Sequence, residues 1–412
     1  MTTADDATAE KKKPAERLAP QLPSGLGNSL QHVLDQEAGS NASSQYNSDA
    51  DEPAPRPRKS KQVVELEHDY ADTEVATPRR IGIQDFELLR VLGRGAFGKV
   101  YLVQQTTTKQ LYAMKVLKKA SLVVEGKQAD QIKTERQILT EVRHPFIVKL
   151  HYAFQTAFEL HMVLQYAVGG ELWRHLNQEG MFSEATTRFY AAELILALDH
   201  LHSLGIIYRD LKPENCLLDT EGHVVLTDFG LSKVAIDGKA TTLAGTVQYL
   251  APEILLGLSY DDAVDWWSFG ILLFDMMTGS PPFTGSNNKK IMDSIVSKKI
   301  HMPYYLTSSA KDLLNKLLRK NPNARLGAKP KKAAAVRRHD FFSKIHWKDL
   351  EQRKVAPPIR PVVTDPVRAE NFDDQFTNEP LRSSSTAAID IPSANVKENH
   401  FQNFSFVRQS LE

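Results

Sequence analysis

Two-residue alternation of apolar and polar positions governs the segment that begins near Gln84, and helical spacing takes over after Gly169 and Gly170. In DFELLRVLGRGAFGKVYLVQQ, Val100 and Leu102 alternate with polar neighbours, which predicts strand, glycine turn, strand. LYAMKVLKK continues as a third strand, and segments around IVKLHYAFQ and LHMVLQYA supply two more. Between them, QADQIKTERQILTEV carries Ile132, Ile138, Leu139 and Val142 at helical spacing, closed by His144 and Pro145. The pattern predicts a small, mostly antiparallel sheet packed on one helix.

Beyond Gly170 the apolar runs lengthen. ELWRHLNQEG and SEATTRFYAAELILALDHLHSLG read as helices, the second with Ser183 and Glu184 suited to a helix start. AVDWWSFGILLFDMMTG and SSAKDLLNKLLRK are apolar enough to be core helices. The expected fold class is therefore α+β in two lobes, a β-rich one over residues 86–166 and a larger helical one over residues 170–342. Residues 343–412, with Pro357, Pro358, Pro361 and serines 383–385, read as an extended surface tail rather than a third domain. Residues 1–80 are rich in Ser, Ala, Asp, Glu and Pro, and bury too little apolar surface to offset chain entropy. They read as a disordered leader.

Charge narrows the function classes. With 51 basic and 50 acidic side chains, the chain lacks the basic surplus that nucleic acid or an anionic membrane calls for. The run PRPRKSK at residues 55–61 fits a nuclear-import signal, but a solvated charge run is the preferred reading. One cysteine, Cys216, forms neither an internal disulfide nor a cysteine-based metal site, so an intracellular setting is expected. The first residues lack the apolar core of a signal peptide, and no uncharged apolar run reaches about 18 residues. The expectation is a soluble cytoplasmic protein, with the nucleus as a second location.

The candidate chemistry sits in ordered short motifs. GRGAFGKV at residues 93–100 matches GxGxxG, which in dinucleotide-binding folds lies between a strand and a helix. Here residues 99–103 are strand-like, so the glycines join two antiparallel strands, where Gly93, Gly95 and Gly98 let backbone amides approach phosphates closely. Lys115, in the apolar run LYAMKVL, needs a partner for a buried ammonium, and Glu135 on the following helix is the candidate. YRDLKPEN at residues 208–215, DFG at 228–230 and APE at 251–253 follow in order.

This succession resembles the eukaryotic protein kinases. The resemblance implies that Asp210 orients a substrate hydroxyl and accepts its proton, that Lys212 neutralises the moving phosphoryl group, and that Asn215 and Asp228 bind magnesium. It implies an ATP site built from Gly93, Arg94, Gly95, Ala96, Phe97, Gly98, Val100, Ala113, Lys115 and Glu135. Gln165 and Ala167 would meet the adenine through their backbone, beside Leu164 as gatekeeper, and Glu171 would lie near the ribose. Glu253 would pair with Arg325, and Asp265 would sit under the catalytic loop. Tyr208 stands where many kinases have His, at a packing position. The competing reading is an ATP-binding scaffold without catalysis, which the joint presence of Asp210, Asn215 and Asp228 opposes.

Within the kinases, YRDLKPEN, GTVQYLAPE and NPNARLGAKPKKAAAVRRHDFFSKIHWKDLE are similar to the AGC group. NFDDQF at residues 371–376 resembles the group's adenine-site tail motif, with Phe372 closing over ATP. FQNFSF at residues 401–406 resembles its hydrophobic motif, with Ser405 as phosphosite. FELLRVLGRGAFGKVYLV, LYAMKVLKKA, HVVLTDFGLSK and FSFV look most like the ribosomal S-six kinase branch. Departures are Ala244, where relatives usually carry Cys, and SSSTAAIDIP, which lacks the usual Ser/Thr-Pro phosphosite and leaves Thr386 as the candidate. The leader shows no clear docking pentapeptide for a TOR complex.

The resemblance further implies an activation-loop phosphosite at Thr242, whose phosphate would pair with Arg209 and Lys233. Phe401 and Phe404 would fill a pocket beside the Glu135 helix. Glu171, Glu214 and Asp275, with Thr246 nearby, would receive a substrate bearing upstream arginines, in the pattern Arg-x-Arg-x-x-Ser/Thr. The implied partners are protein substrates, an upstream activation-loop kinase docking on the hydrophobic motif, and a TOR-complex kinase.

Overall fold

The computed structural model describes residues 81–95, 98–123, 127–234, 240, 245–381 and 401–408. Strands β1 (Phe86–Gly95) and β2 (Gly98–Gln105) form the glycine hairpin, with Gly95 opposite Gly98. β3 (Leu111–Lys118) pairs with β2, then helices α1 (Lys119–Val123) and α2 (Lys127–Glu141) lead to β4 (Leu150–Gln155) and β5 (Glu159–Gln165). The two-residue period has a direct cause. Along β3, Met114 and Val116 face a cluster with Phe86, Tyr112, Phe154 and Val163. Leu117 joins the main core, where Leu150, Leu160 and Met162 meet Ile132, Ile138 and Leu139 of α2.

The second lobe opens with β6 (Gly170–Glu171), α3 (Leu172–Glu179) and α4 (Glu184–Ser203). Ser183 caps α4 by accepting from the Thr186 amide at 3.1 Å, as expected for a helix start. Short strands β7 (Ile206–Ile207), β8 (Cys216–Leu218), β9 (Val224–Leu226) and β10 (Lys233–Val234) carry the loops between them. Helix α5 (Pro252–Leu255) precedes α6 (Ala263–Thr278), which is buried from Ala263 to Met277 and so is enclosed on every side. Against it packs α8 (Ser308–Leu317), while α9 (Lys332–Arg337) and α10 (Trp347–Glu351) pack on α4, and α7 (Asn288–Ser297) lies against α5.

The tail is pinned to the lobes by buried aromatics, Phe372, Phe401 and Phe404, as the resemblance implies. It carries helix α11 (Asp374–Thr377) and buries Ala369, Phe372, Phe401 and Phe404. Strand β11 (Phe406–Val407) pairs antiparallel with β4, so the sheet has six strands in the order β1-β2-β3-β5-β4-β11. Four buried apolar groups leave water only when these segments dock, which makes docking more favourable than an extended path. Residues 1–80, expected to be a leader, lie outside the described residues. Among the described residues, no helix is long and apolar enough to cross a membrane.

Candidate active site

Between the lobes lies a cleft of about 420 Å³. The sheet contributes Val100, Ala113 and Lys115, and the connection between lobes contributes Leu164, Gln165 and Ala167. Asp210, Asn215 and Asp228 line the opposite side with Glu171 and Glu214, and Phe372 reaches in from the tail. Residues scattered over the sequence from 92 to 372 therefore face one space.

The catalytic loop is wired from beneath. Asp265, fully buried, accepts hydrogen bonds from the amides of Tyr208 at 2.9 Å and Arg209 at 2.8 Å, and pairs with His202 Nε2 at 2.7 Å. Those bonds hold Arg209 at φ 70°, a left-handed conformation that a non-glycine residue adopts only when its surroundings impose it. Tyr208 packs edge-on against Phe229 at 5.3 Å and donates to the Thr227 carbonyl, as suits a packing position. The Asp210 carboxylate then receives Lys212 Nζ at 3.0 Å, Asn215 Nδ2 at 2.8 Å and the Thr246 hydroxyl at 3.3 Å. Lys212 also reaches Thr246 Oγ1 at 3.1 Å. Thr246 thus belongs to the fixing of Asp210.

Across the cleft, Lys115 Nζ donates to Glu135 at 2.7 Å and to Asp228 at 3.1 Å. Burial opposes the ammonium, yet the two carboxylates more than offset it and raise the Lys115 pKa, so the cation is retained. The Lys115 charge in turn lowers the Asp228 pKa. Asp228 also sits in the left-handed region, at φ 56°. The buried pair ties β3 to α2 and presents Asp228 to the cleft as an anion.

The glycines divide their work. A Cβ on Gly98 would lie 1.8 Å from the Val116 carbonyl oxygen, so β3 itself demands glycine there. At Gly93 and Gly95 a Cβ would meet nothing within 4 Å, which leaves these two for approach to a ligand. Arg94 points its guanidinium to Glu379 in the tail, at 2.9 Å. Ala96 and Phe97 lie outside the described residues.

The oxygen donors fit magnesium. Asn215 commits its amide nitrogen to Asp210, which presents the amide oxygen as its ligating end, and Asp228 adds a carboxylate. Among the described residues no cluster of three or more His, Cys, Asp or Glu could hold a metal alone. Asn215 and Asp228 would hold this hard ion through oxygen, the donor type it prefers.

An acidic corner borders the cleft. Burial, with Glu214 and Asp373 alongside, raises the Glu171 pKa to about 7. Asp373 went unnoticed in the sequence, although it directly follows Phe372 in NFDDQF. Asp275 is mostly buried, accepts from the Tyr249 hydroxyl at 2.7 Å and feels the charge of Glu214. Farther down, Arg325 forks onto Glu253 at 2.6 and 2.9 Å and lies over Trp267 at 5.3 Å.

The tail touches both ends of the upper lobe. Phe372 stacks on Tyr166 at 5.7 Å, while Arg174 donates to the Phe372 carbonyl at 3.0 Å. Phe401 and Phe404 enter the main core. Arg136, next to Glu135 on α2, donates to the Phe404 carbonyl at 3.2 Å and the Ser405 carbonyl at 3.0 Å. Arg408 donates to Leu150 at 2.6 Å and to Leu139 at 3.4 Å, an anchor beyond the expected motif. Ser405 itself is exposed. Arg209 donates to the Leu231 carbonyl and to Tyr260, while Thr242, Ala244 and Thr386 lie outside the described residues.

A β-rich lobe and a helical lobe closing on such a cleft define the two-lobed kinase architecture. The protein kinase domain family matches residues 86–342 and the protein kinase C terminal domain family matches residues 363–406, so the chain belongs to the protein kinase family. It is 45% identical over 404 residues to ribosomal protein S6 kinase alpha-3 of Homo sapiens, covering 97% of this chain and 52% of that protein. It is 48% identical over 356 residues to ribosomal protein S6 kinase alpha-1 of Rattus norvegicus, covering 85% of this chain and 47% of that protein. The chain spans about half the length of the curated relatives it matches.

Proposed function

We propose that this protein is a serine/threonine protein kinase of the ribosomal S-six kinase type, transferring the γ-phosphoryl group of ATP to proteins with arginines upstream of the acceptor. One observation carries the reading: Asp210, held by Lys212, Asn215 and Thr246, shares a cleft with the Lys115–Glu135–Asp228 network. The adenine slips between Ala113 and Phe372 and is met by the backbone of Gln165 and Ala167. Lys115 binds the α- and β-phosphates. Asp210 accepts a hydrogen bond from the acceptor hydroxyl and takes its proton, and Lys212 faces the charge that develops on the transferred group. Magnesium, held by Asn215 and Asp228, supplies charge neutralisation at the phosphates.

Glu171, Glu214, Asp275 and Asp373 recognise the substrate's arginines. The raised Glu171 pKa supports this, since burial with Glu214 and Asp373 alongside outweighs the charges of Lys212 and Arg174 and leaves a negative potential that an arginine would offset. Phosphorylation of Thr242 and Ser405 activates the enzyme. Arg136 links the Ser405 segment to the helix bearing Glu135, which supports the second site. Thr386 is the candidate third phosphosite. An upstream activation-loop kinase docks on the hydrophobic motif, and a TOR-complex kinase acts on the tail in nutrient and growth signalling. We assign the protein to the cytoplasm, with the nucleus as a second location.

The test is transfer of labelled phosphate to peptides that differ only in their upstream arginines. A preference for arginine, lost together in Glu171→Gln and Glu214→Gln, is expected. Equal use of all peptides contradicts the substrate assignment.

A further inference from the structure

We infer that Glu379 is a positioning residue for the nucleotide, latching the glycine hairpin to the tail through Arg94 and Lys99. The inference rests on the ATP-binding reading above and adds a residue outside every motif recognised in the sequence.

Arg94 and Lys99 are directly opposite each other at the neck of the hairpin, one step below the Gly95 and Gly98 pair. Like charges at opposed positions repel and loosen a hairpin. Here both point to one acceptor: Glu379 Oε2 takes Arg94 Nη2 at 2.9 Å and Lys99 Nζ at 2.8 Å. A single carboxylate thereby turns a repulsive pair into a bridged triad. Those hydrogen bonds also lower the Glu379 pKa, which keeps the carboxylate ionised.

The latch has a fixed base. Arg90, further down β1, donates to the carbonyls of Val367 at 2.9 Å and Thr377 at 3.3 Å, and α11 packs along β1. The same tail stretch begins with Phe372 in the cleft, stacked on Tyr166. Phe372 therefore closes the adenine end of the site, and Glu379 holds the strand ends that carry Gly95 and Gly98 over the phosphate end. A hairpin held at its neck loses less freedom when a nucleotide binds, so ATP binds more tightly. The constraint acts equally before and during transfer, so it lowers the KM for ATP and leaves kcat nearly unchanged.

The test uses the full-length protein at low ionic strength, because exposed pairs are screened by salt. Binding of trinitrophenyl-ATP is followed by fluorescence, beside steady-state kinetics with ATP and an arginine-rich peptide. Glu379→Gln is expected to weaken trinitrophenyl-ATP and raise the KM for ATP by roughly threefold to fivefold, the range for a network of partly exposed pairs. The kcat and the peptide KM stay within about twofold. Glu379→Asp restores part of the loss, and added salt of about 1 M abolishes the difference. In a background of Arg94→Gln with Lys99→Gln, the Glu379→Gln change has no further effect. Unchanged nucleotide binding in Glu379→Gln overturns the inference, as does a full loss in that background or a fall in kcat alone. If the unaltered protein binds trinitrophenyl-ATP yet transfers no phosphate, the kinase reading fails while the latch is still decided by the binding arm.

Discussion

The two sides of the cleft are built by different means. On the helical side, Asp210 is fixed by contacts within one lobe, rooted in fully buried Asp265, whose helix also receives Arg325 at the Ala263 carbonyl. On the sheet side, α2 and the glycine hairpin are held by a tail that is far away in sequence, through Arg136, Arg408 and Glu379. A buried network cannot be released without unfolding, because each charge would lose its partner in a low-dielectric interior. The polar contacts made through the tail are partly exposed, so each is released at lower cost than a buried charge pair. The helical lobe therefore supplies permanent chemistry, and the sheet lobe supplies a geometry that depends on the state of the tail.

That contrast is broken most severely at Asp210. Asp210→Asn should lower kcat by about a thousandfold or more with an unchanged melting temperature, since it removes the proton acceptor and leaves the fold intact. Arg325→Ala should instead cost about 3–5 kcal/mol of stability by stranding Glu253, read as a lower melting midpoint with activity falling in step. Phe404→Ala sharpens the other half of the comparison. Activity should fall about tenfold, stability should drop by up to about 3–5 kcal/mol for the lost buried aromatic, and hydrogen exchange should rise along α2 and β4 but not in α6. Exchange rising equally in α6 would erase the distinction between the two sides.

The smallest effect concerns the acidic corner. Glu171 must be ionised to pair with an arginine, and burial with neighbouring acids holds its pKa at about 7. Protonation below that value removes the charge, so the KM for an arginine-bearing peptide should rise several-fold as pH falls from about 8 to about 6. A peptide without arginine should show no such trend, and Glu171→Gln should flatten it.

Much of this was legible in the sequence because its causes are local. Val100 and Leu102 betrayed β2 by alternation, Ser183 marked the start of α4, and Lys115 in an apolar strand required a carboxylate, met by Glu135. The roles of Asp265 and Arg325 came only from resemblance, since nothing in their own neighbourhoods specifies partners 56 or 72 residues away. The tail was the least legible. Phe406 and Val407 form too short an apolar run to announce an edge strand, and Glu379 is an ordinary acid until folding brings it beside Arg94. Gly98 had a second cause, the close Val116 carbonyl, that no loop motif conveys.

One cleft joins the Lys115–Glu135–Asp228 network to Asp210, the arrangement on which the proposed phosphoryl transfer depends. That dependence is tested most directly by transfer of labelled γ-phosphate from ATP to an arginine-rich serine peptide, with the unaltered protein and with Asp228→Ala. The account predicts label on the peptide serine with magnesium present, and none after chelation or in Asp228→Ala. Equal labelling by Asp228→Ala, or none by a folded, Thr242- and Ser405-phosphorylated protein, would contradict it.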